Sequence, residues 1–140
     1  GHGFTHNYKR IGEEWTLETV NYHRYQPYSI ILGALFLPAD ALRDRDQKTS
    51  FVRALEHFRL MSGRASVHFD PDVMERVLIG VYDRDDPARR GEVFFVDVDH
   101  ELGPREEPPP AIRLTFEDVK DQLVAAFRLR NPRLRVEGMP

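Results

Sequence analysis

The residues best suited to chemistry lie in the run EVFFVDVDHE, residues 92–101. Strand alternation puts Val93, Phe95, Asp97 and Asp99 on one face, and Phe94, Val96, Val98 and His100 on the other. Two carboxylates two residues apart on a strand stand roughly 6–7 Å apart at Cα. Both can then reach one divalent ion or a close pair of ions, an arrangement suited to phosphoryl or nucleotidyl transfer. The run HFDPD, residues 68–72, offers His68, Asp70 and Asp72 to the same ion if the two segments neighbour. The simpler readings are structural. Asp97 and Asp99 form the solvent-facing end of an edge strand, and Asp70 or Asp72 caps a turn near Pro71.

A second candidate is the aromatic belt NYHRYQPY. Tyr22, Tyr25 and Tyr28 recur at intervals of three, with His23, Arg24 and Gln26 among them. Tyrosine has an apolar body and a polar tip and suits wet interfaces. Aromatics beside arginine also stack on bases or sugars. The overall charge favours a protein partner, and packing at a sheet edge is the structural alternative. Arg128, Arg130, Arg133 and Arg135 form a further candidate patch for anions, two of them at a helix end that favours cations. No GxSxG, HExxH, GxxxxGK[ST] or GxGxxG motif occurs, and the absence of cysteine removes thiolate and Cys-based metal chemistry.

An apolar strand ending in Asp97-x-Asp99, preceded by the strand containing IGVY, resembles the metal motif of archaeo-eukaryotic-type primase–polymerases. It is also similar to motifs of glycosyltransferases and haloacid-dehalogenase-type phosphatases. The resemblance is confined to this segment and implies a Mg²⁺ or Mn²⁺ site. The sequence departs from both patterns. The primase type has a later His-bearing strand, and no His follows His100. The phosphatase type has Thr where Glu101 stands. Membership is not assigned.

The chain that must position these residues has 140 residues and a net charge of −3, which bounds it to a single domain, residues 1–140. With 41% hydrophobic and 31% charged residues it reads as soluble and globular, able to bury a core. The net charge argues against a duplex-DNA partner, which normally meets a basic domain. The charge is uneven: +2 over residues 1–64, −7 over 65–107 and +2 over 108–140. The acidic middle is a solvated hairpin or a face for a cation or basic partner. No apolar run approaches the roughly 20 residues of a membrane helix. The start, Gly1-His2-Gly3, has no signal-peptide pattern, so a cytoplasmic location is expected. Beginning at Gly rather than Met is compatible with a domain cut from a longer protein.

Trp15, Thr16, Thr19, Val20 and Tyr22 favour a strand over Glu14–Tyr25, with a helix as the alternative because Glu13, Glu14 and Leu17 are good helix formers. Ser29–Leu37 reads as a central strand, paired with 14–25 in a hairpin. Gln47–Met61 is an amphipathic helix that buries Phe51, Val52, Leu55 and Phe58 and stops at Gly63. Ala65–Phe69 is a short strand, and Arg76–Tyr82 pairs with Glu92–Val98 in a second hairpin. The prolines of residues 100–110 make an irregular connector. Thr115 and Asp118 open a second helix to Arg130, with Phe116, Val119, Leu123, Ala126 and Phe127 as its buried stripe. Arg133–Glu137 adds an edge strand.

The expected fold class is therefore α+β. Its sheet is mainly antiparallel, built from hairpins in the order β-β-α-(β)-β-β-α-(β), with both helices on one face. The functional expectation is a protein-interaction or regulatory binding module without catalytic activity or cofactor. Its partner is a protein, with a second copy of the chain included. It binds through Tyr22, His23, Arg24, Tyr25 and Tyr28. The alternative is a metal-dependent transfer or nucleotide-binding domain using Asp97 and Asp99, with His68 and Asp70 as further ligands and Mg²⁺ or Mn²⁺ as the ion.

Overall fold

A computed structural model of the chain describes residues 7–44, 47–68, 70–89 and 91–134. Among these described residues three helices, α1 (Tyr8–Tyr25), α2 (Ser50–Arg59) and α3 (Phe116–Arg130), accompany three strands, β1 (Leu32–Pro38), β2 (Arg76–Tyr82) and β3 (Val93–Asp97). Short 3-10 turns occupy Ala39–Leu42, Pro87–Arg89 and Pro110–Ile112. The fold is α+β with a mixed sheet in the order β1-β2-β3.

Residues 14–25 are helical rather than a strand, as part of α1. The buried positions of α1 are Tyr8, Gly12, Thr19 and His23, which recur at helical spacing along one side. That side is written in small and polar residues, so hydrophobic periodicity does not reveal it. Gly12 permits close approach, because a Cβ there would strike the Met61 side chain just beyond α2. Trp15 packs its ring 5.2 Å from that of Phe58. Burial at tertiary contacts thus overrides the local β propensity.

The expected hairpin between 14–25 and 29–37 is absent, since its first half is α1. Instead β1 runs parallel to β2, from Leu32 opposite Arg76 to Pro38 opposite Tyr82. A parallel pair needs a long crossover, and α2 lies within it. The hairpin of β2 and β3 forms as expected, antiparallel from Leu78 opposite Asp97 to Tyr82 opposite Val93. The sheet is accordingly mixed, not mainly antiparallel. Residues 65–68 are irregular and end in a turn at 67–68 rather than forming a strand, and Phe69 is outside the described residues. The expected edge strand at 133–137 falls largely outside them too, and Arg133 lies in a turn.

The helices do not share one face. Val77, Ile79 and Val81 of β2 join Val96, Val98 and Leu37 against Phe51, Val52, Leu55 and Phe58 of α2. Leu78 and Phe95 meet Val119 of α3 on the opposite side. β2 is apolar at both sets of alternating positions, so each face of the sheet needs a cover. Within α3 Val119 is buried, but Phe116 is 68% exposed, contrary to the expected stripe.

α3 starts where its sequence predicts, whereas α2 starts at Ser50 rather than the expected Gln47, because Thr49 caps it. The Thr49 hydroxyl accepts from the Val52 amide at 3.2 Å. Thr115 and Asp118 form a reciprocal capping box, at 2.9 and 3.1 Å. The proline connector is irregular, and the Pro104 carbonyl accepts from the Thr49 amide at 2.9 Å. No helix among the described residues is long and apolar enough to cross a membrane.

Candidate functional site

The densest polar arrangement gathers on Glu75, the residue that precedes β2. Its neighbourhood is set by the backbone. The Met74 amide donates to the Met61 carbonyl at 2.7 Å, and the Arg64 amide to the Met74 carbonyl at 3.0 Å. These bonds hold the segment after α2 alongside the approach to β2. Gly63 permits the turn between them, with φ at +104°. Arg64 and Glu75 thereby become neighbours, and the Arg64 Nη1 donates to Glu75 Oε2 at 2.7 Å. The last residue of α3, Arg130, donates to the same oxygen.

The other carboxylate oxygen, Oε1, accepts from the Ile31 amide at 2.7 Å and faces His23 Nε2 at 3.0 Å. His23 Nδ1 lies 2.8 Å from the Pro71 carbonyl. Both ring nitrogens therefore face acceptors; a neutral ring can donate to one, an imidazolium to both. The side chains are withdrawn from water: Glu75 is 6% exposed, Arg64 1%, His23 0% and Arg130 10%. Burial is the largest single influence on Glu75 and opposes its ionisation. The Ile31 amide, Arg130, Arg64 and His23 together outweigh it and hold the carboxyl below its ordinary range.

The same guanidinium groups reach past Glu75 to the turn between α1 and β1. Arg64 Nη2 donates to the Pro27 carbonyl at 3.0 Å, and Arg130 Nη1 to the Ser29 carbonyl at 3.1 Å. The tyrosines cluster around it, Tyr22 and Tyr25 in the last turn of α1 and Tyr28 in the turn itself, and together they form the tyrosine turn. Tyr22 is 63% exposed, Tyr25 84% and Tyr28 55%. Arg24 is exposed beside them, whereas His23 points inward to Glu75. The structure thus separates the aromatic belt into an outward set and one inward anchor.

The acidic candidates are placed differently. Asp97 ends β3 as a buried residue, its Oδ2 3.2 Å from Arg76 Nε. Its Oδ1 accepts from the Asp99 amide at 2.9 Å, a turn that terminates the strand. Burial, ahead of all other influences, pushes the Asp97 carboxyl up. Asp97 is therefore not the solvent-facing strand end of the structural reading, while Asp99 is exposed. His68 and Asp70 are exposed, and the Asp70 carboxylate is bonded to Asp72. Among the described residues, no three His, Asp or Glu side chains are grouped so that they could hold a metal ion. Of the arginine patch, Arg130 belongs to the Glu75 cluster, Arg128 and Arg133 are exposed, and Arg135 lies outside the described residues.

No protein-family model, curated protein or solved structure matches this chain.

Sequence reasoning missed Glu75 and Arg64 altogether and read Arg130 as part of a candidate anion patch at a helix end, not as a partner of Glu75. Arg64 and Arg130 lie 11 and 55 positions from Glu75, and the three share no motif. The available signal is positional. A charge directly before an apolar strand, another after the glycine that ends a helix, and a third at a helix terminus all stand where elements meet.

Proposed function

We propose that the chain is a binding module that engages a protein partner through the tyrosine turn, without catalysis or cofactor. One observation carries this reading. Tyr22, Tyr25 and Tyr28 are all more than half exposed, while the backbone at Pro27 and Ser29 is bonded by buried guanidinium groups. Aromatic side chains on an ordered backbone lose little freedom when a partner covers them, so a preformed turn binds at lower entropic cost. Tyrosine offers both apolar area and a hydroxyl for such contacts. A second copy of the chain is one such partner, and a cytoplasmic location belongs to the same reading.

The alternative is a divalent-metal site at Asp97 and Asp99 serving phosphoryl or nucleotidyl transfer. It draws on one observation, the turn that links the two residues through the Asp99 amide. It requires Arg76 to release Asp97 to the ion.

The deciding experiment compares wild type with the Tyr22→Ala/Tyr25→Ala/Tyr28→Ala variant. Solution mass is measured by sedimentation, and proteins retained from source-cell extract are quantified. A second copy or a specific protein held about tenfold more by wild type supports the reading, a difference worth about 1.4 kcal/mol. Equal retention together with unchanged mass overturns it.

A further inference from the structure

The Glu75 cluster forms the polar end of a cavity of about 470 Å³ between α3 and the approaches to β1 and β2. Its walls are apolar: Leu32 on the strand side, Val67 on the loop after α2, and Val119, Leu123 and Ala126 on α3. The volume falls within the range of small-molecule sites, which are concave, mostly apolar and oriented by a few polar groups. This cavity is distinct from the tyrosine surface, which meets it only at Tyr28 on the rim.

The charge at the polar end does not balance. Arg64 and Arg130 are permanent cations, and among the described residues Glu75 is the one carboxylate bonded to both. Arg76 also lines the cavity but is paired with Asp97. A buried net charge is costly unless a counter-charge offsets it. The polar lining is also incompletely bonded. Arg64 Nε, a donor, and Gln122 Oε1, an acceptor, are both buried and lack a partner among the described residues. The cavity thus combines an apolar body with one cationic end whose hydrogen-bonding capacity is not exhausted.

The geometry points to a binding site for a small amphipathic anion, a carboxylate head on an apolar chain or ring. The head lies toward Arg64 and Arg130, and the apolar part lies along Leu32, Val119 and Leu123. A neutral analogue of the same length fills the walls but leaves the excess charge uncompensated. An amphipathic cation adds like charge and is rejected.

The test uses the full chain and three probes of equal chain length: decanoate and decyltrimethylammonium below their micellar concentrations, and 1-decanol below its solubility limit. Titration calorimetry measures affinity, and amide NMR locates the perturbed residues. Decanoate is expected to bind one per chain, at least about tenfold more tightly than decanol, with shifts centred on Leu123, Ala126 and Arg64. The Ala126→Trp variant, which fills the cavity from α3, is expected to lose that binding while keeping the wild-type circular dichroism. If this variant fails to fold, the wild-type NMR map alone decides the location. Equal affinity for decanoate and decanol, shifts elsewhere on the chain, or binding only at micellar concentration would overturn the proposal.

Discussion

Glu75 accepts a hydrogen bond from the Ile31 amide at 2.7 Å across 44 positions of sequence. The contact joins the entry of β2 to the entry of β1, two strands that then run parallel. The same carboxylate holds Arg64 and Arg130, whose remaining donors fix the Pro27 and Ser29 carbonyls. One side chain thereby connects the end of α1, the segment after α2, both parallel strands and the end of α3.

Removing that carboxylate leaves two guanidinium groups buried without their counter-ion. Glu75→Ala is expected to cost about 3–5 kcal/mol, the usual range for breaking a buried pair from one side. Arg10→Ala serves as the contrast. Its pair with Glu14 is 3.5 Å long with both side chains at least 60% exposed, so it is expected to change stability by less than about 1 kcal/mol. Urea denaturation measures both. Equal effects of the two substitutions would show that Glu75 does not organise the fold.

The pH dependence of stability carries two opposite contributions. The Glu75 carboxyl is lowered below its ordinary value of 4.5, so its contribution is complete above that pH and is lost as pH falls through the folded value. The Asp97 carboxyl is raised above its ordinary 3.8, chiefly by burial, so its ionised form costs stability at neutral pH and protonation relieves the cost. Asp97→Asn keeps an acceptor for the Asp99 amide and removes the buried charge. The variant is expected to match or exceed wild-type stability at pH about 7, with the difference shrinking toward pH about 4. Wild type is expected to lose stability steeply below pH about 4.5. Denaturation midpoints across this range check both, and a large loss for Asp97→Asn at neutral pH would show that the Arg76 pair outweighs the burial cost.

Divalent ions separate the two functional readings. The interaction-module reading expects no change in thermal midpoint with millimolar Mg²⁺ or Mn²⁺. The transfer-enzyme reading expects stabilisation by the ion that disappears in Asp97→Asn/Asp99→Asn, since a ligand of the folded state raises its stability by mass action. A thermal-shift titration of wild type and variant decides between them.

The legible parts of the fold were those written in strong apolar patterns. α2 announces itself through Phe51, Val52, Leu55 and Phe58, and β2 with β3 through RVLIGVY and EVFFVDV. The capping box of Thr115 and Asp118 is local chemistry and reads directly. α1 was obscured because its inner side is Tyr8, Gly12, Thr19 and His23, while its outer side carries Leu17, Tyr22 and Tyr25. Misreading that segment as a strand supplied β1 with a false antiparallel neighbour and hid its parallel pairing. The exposure of the tyrosines followed from their amphipathic chemistry, but the inward turn of His23 needed its partner Glu75. That cluster is built from residues remote in sequence, and no spacing records it. The Asp97-x-Asp99 pattern was legible as a motif, yet the salt bridge from Arg76 depends on where β2 begins.

Native-state amide exchange of the wild-type protein tests most directly whether the tyrosine turn is preformed. Exchange measures the free energy of local opening residue by residue. If the Glu75 cluster fixes the turn, the Ile31 amide exchanges as slowly as the buried β2 amides of Val77 and Ile79, and the Ser29 amide is protected as well. If Ile31 and Ser29 instead exchange as fast as Asp85 and Asp86 of the exposed loop between β2 and β3, the turn is not held and the account of a preformed binding surface is wrong.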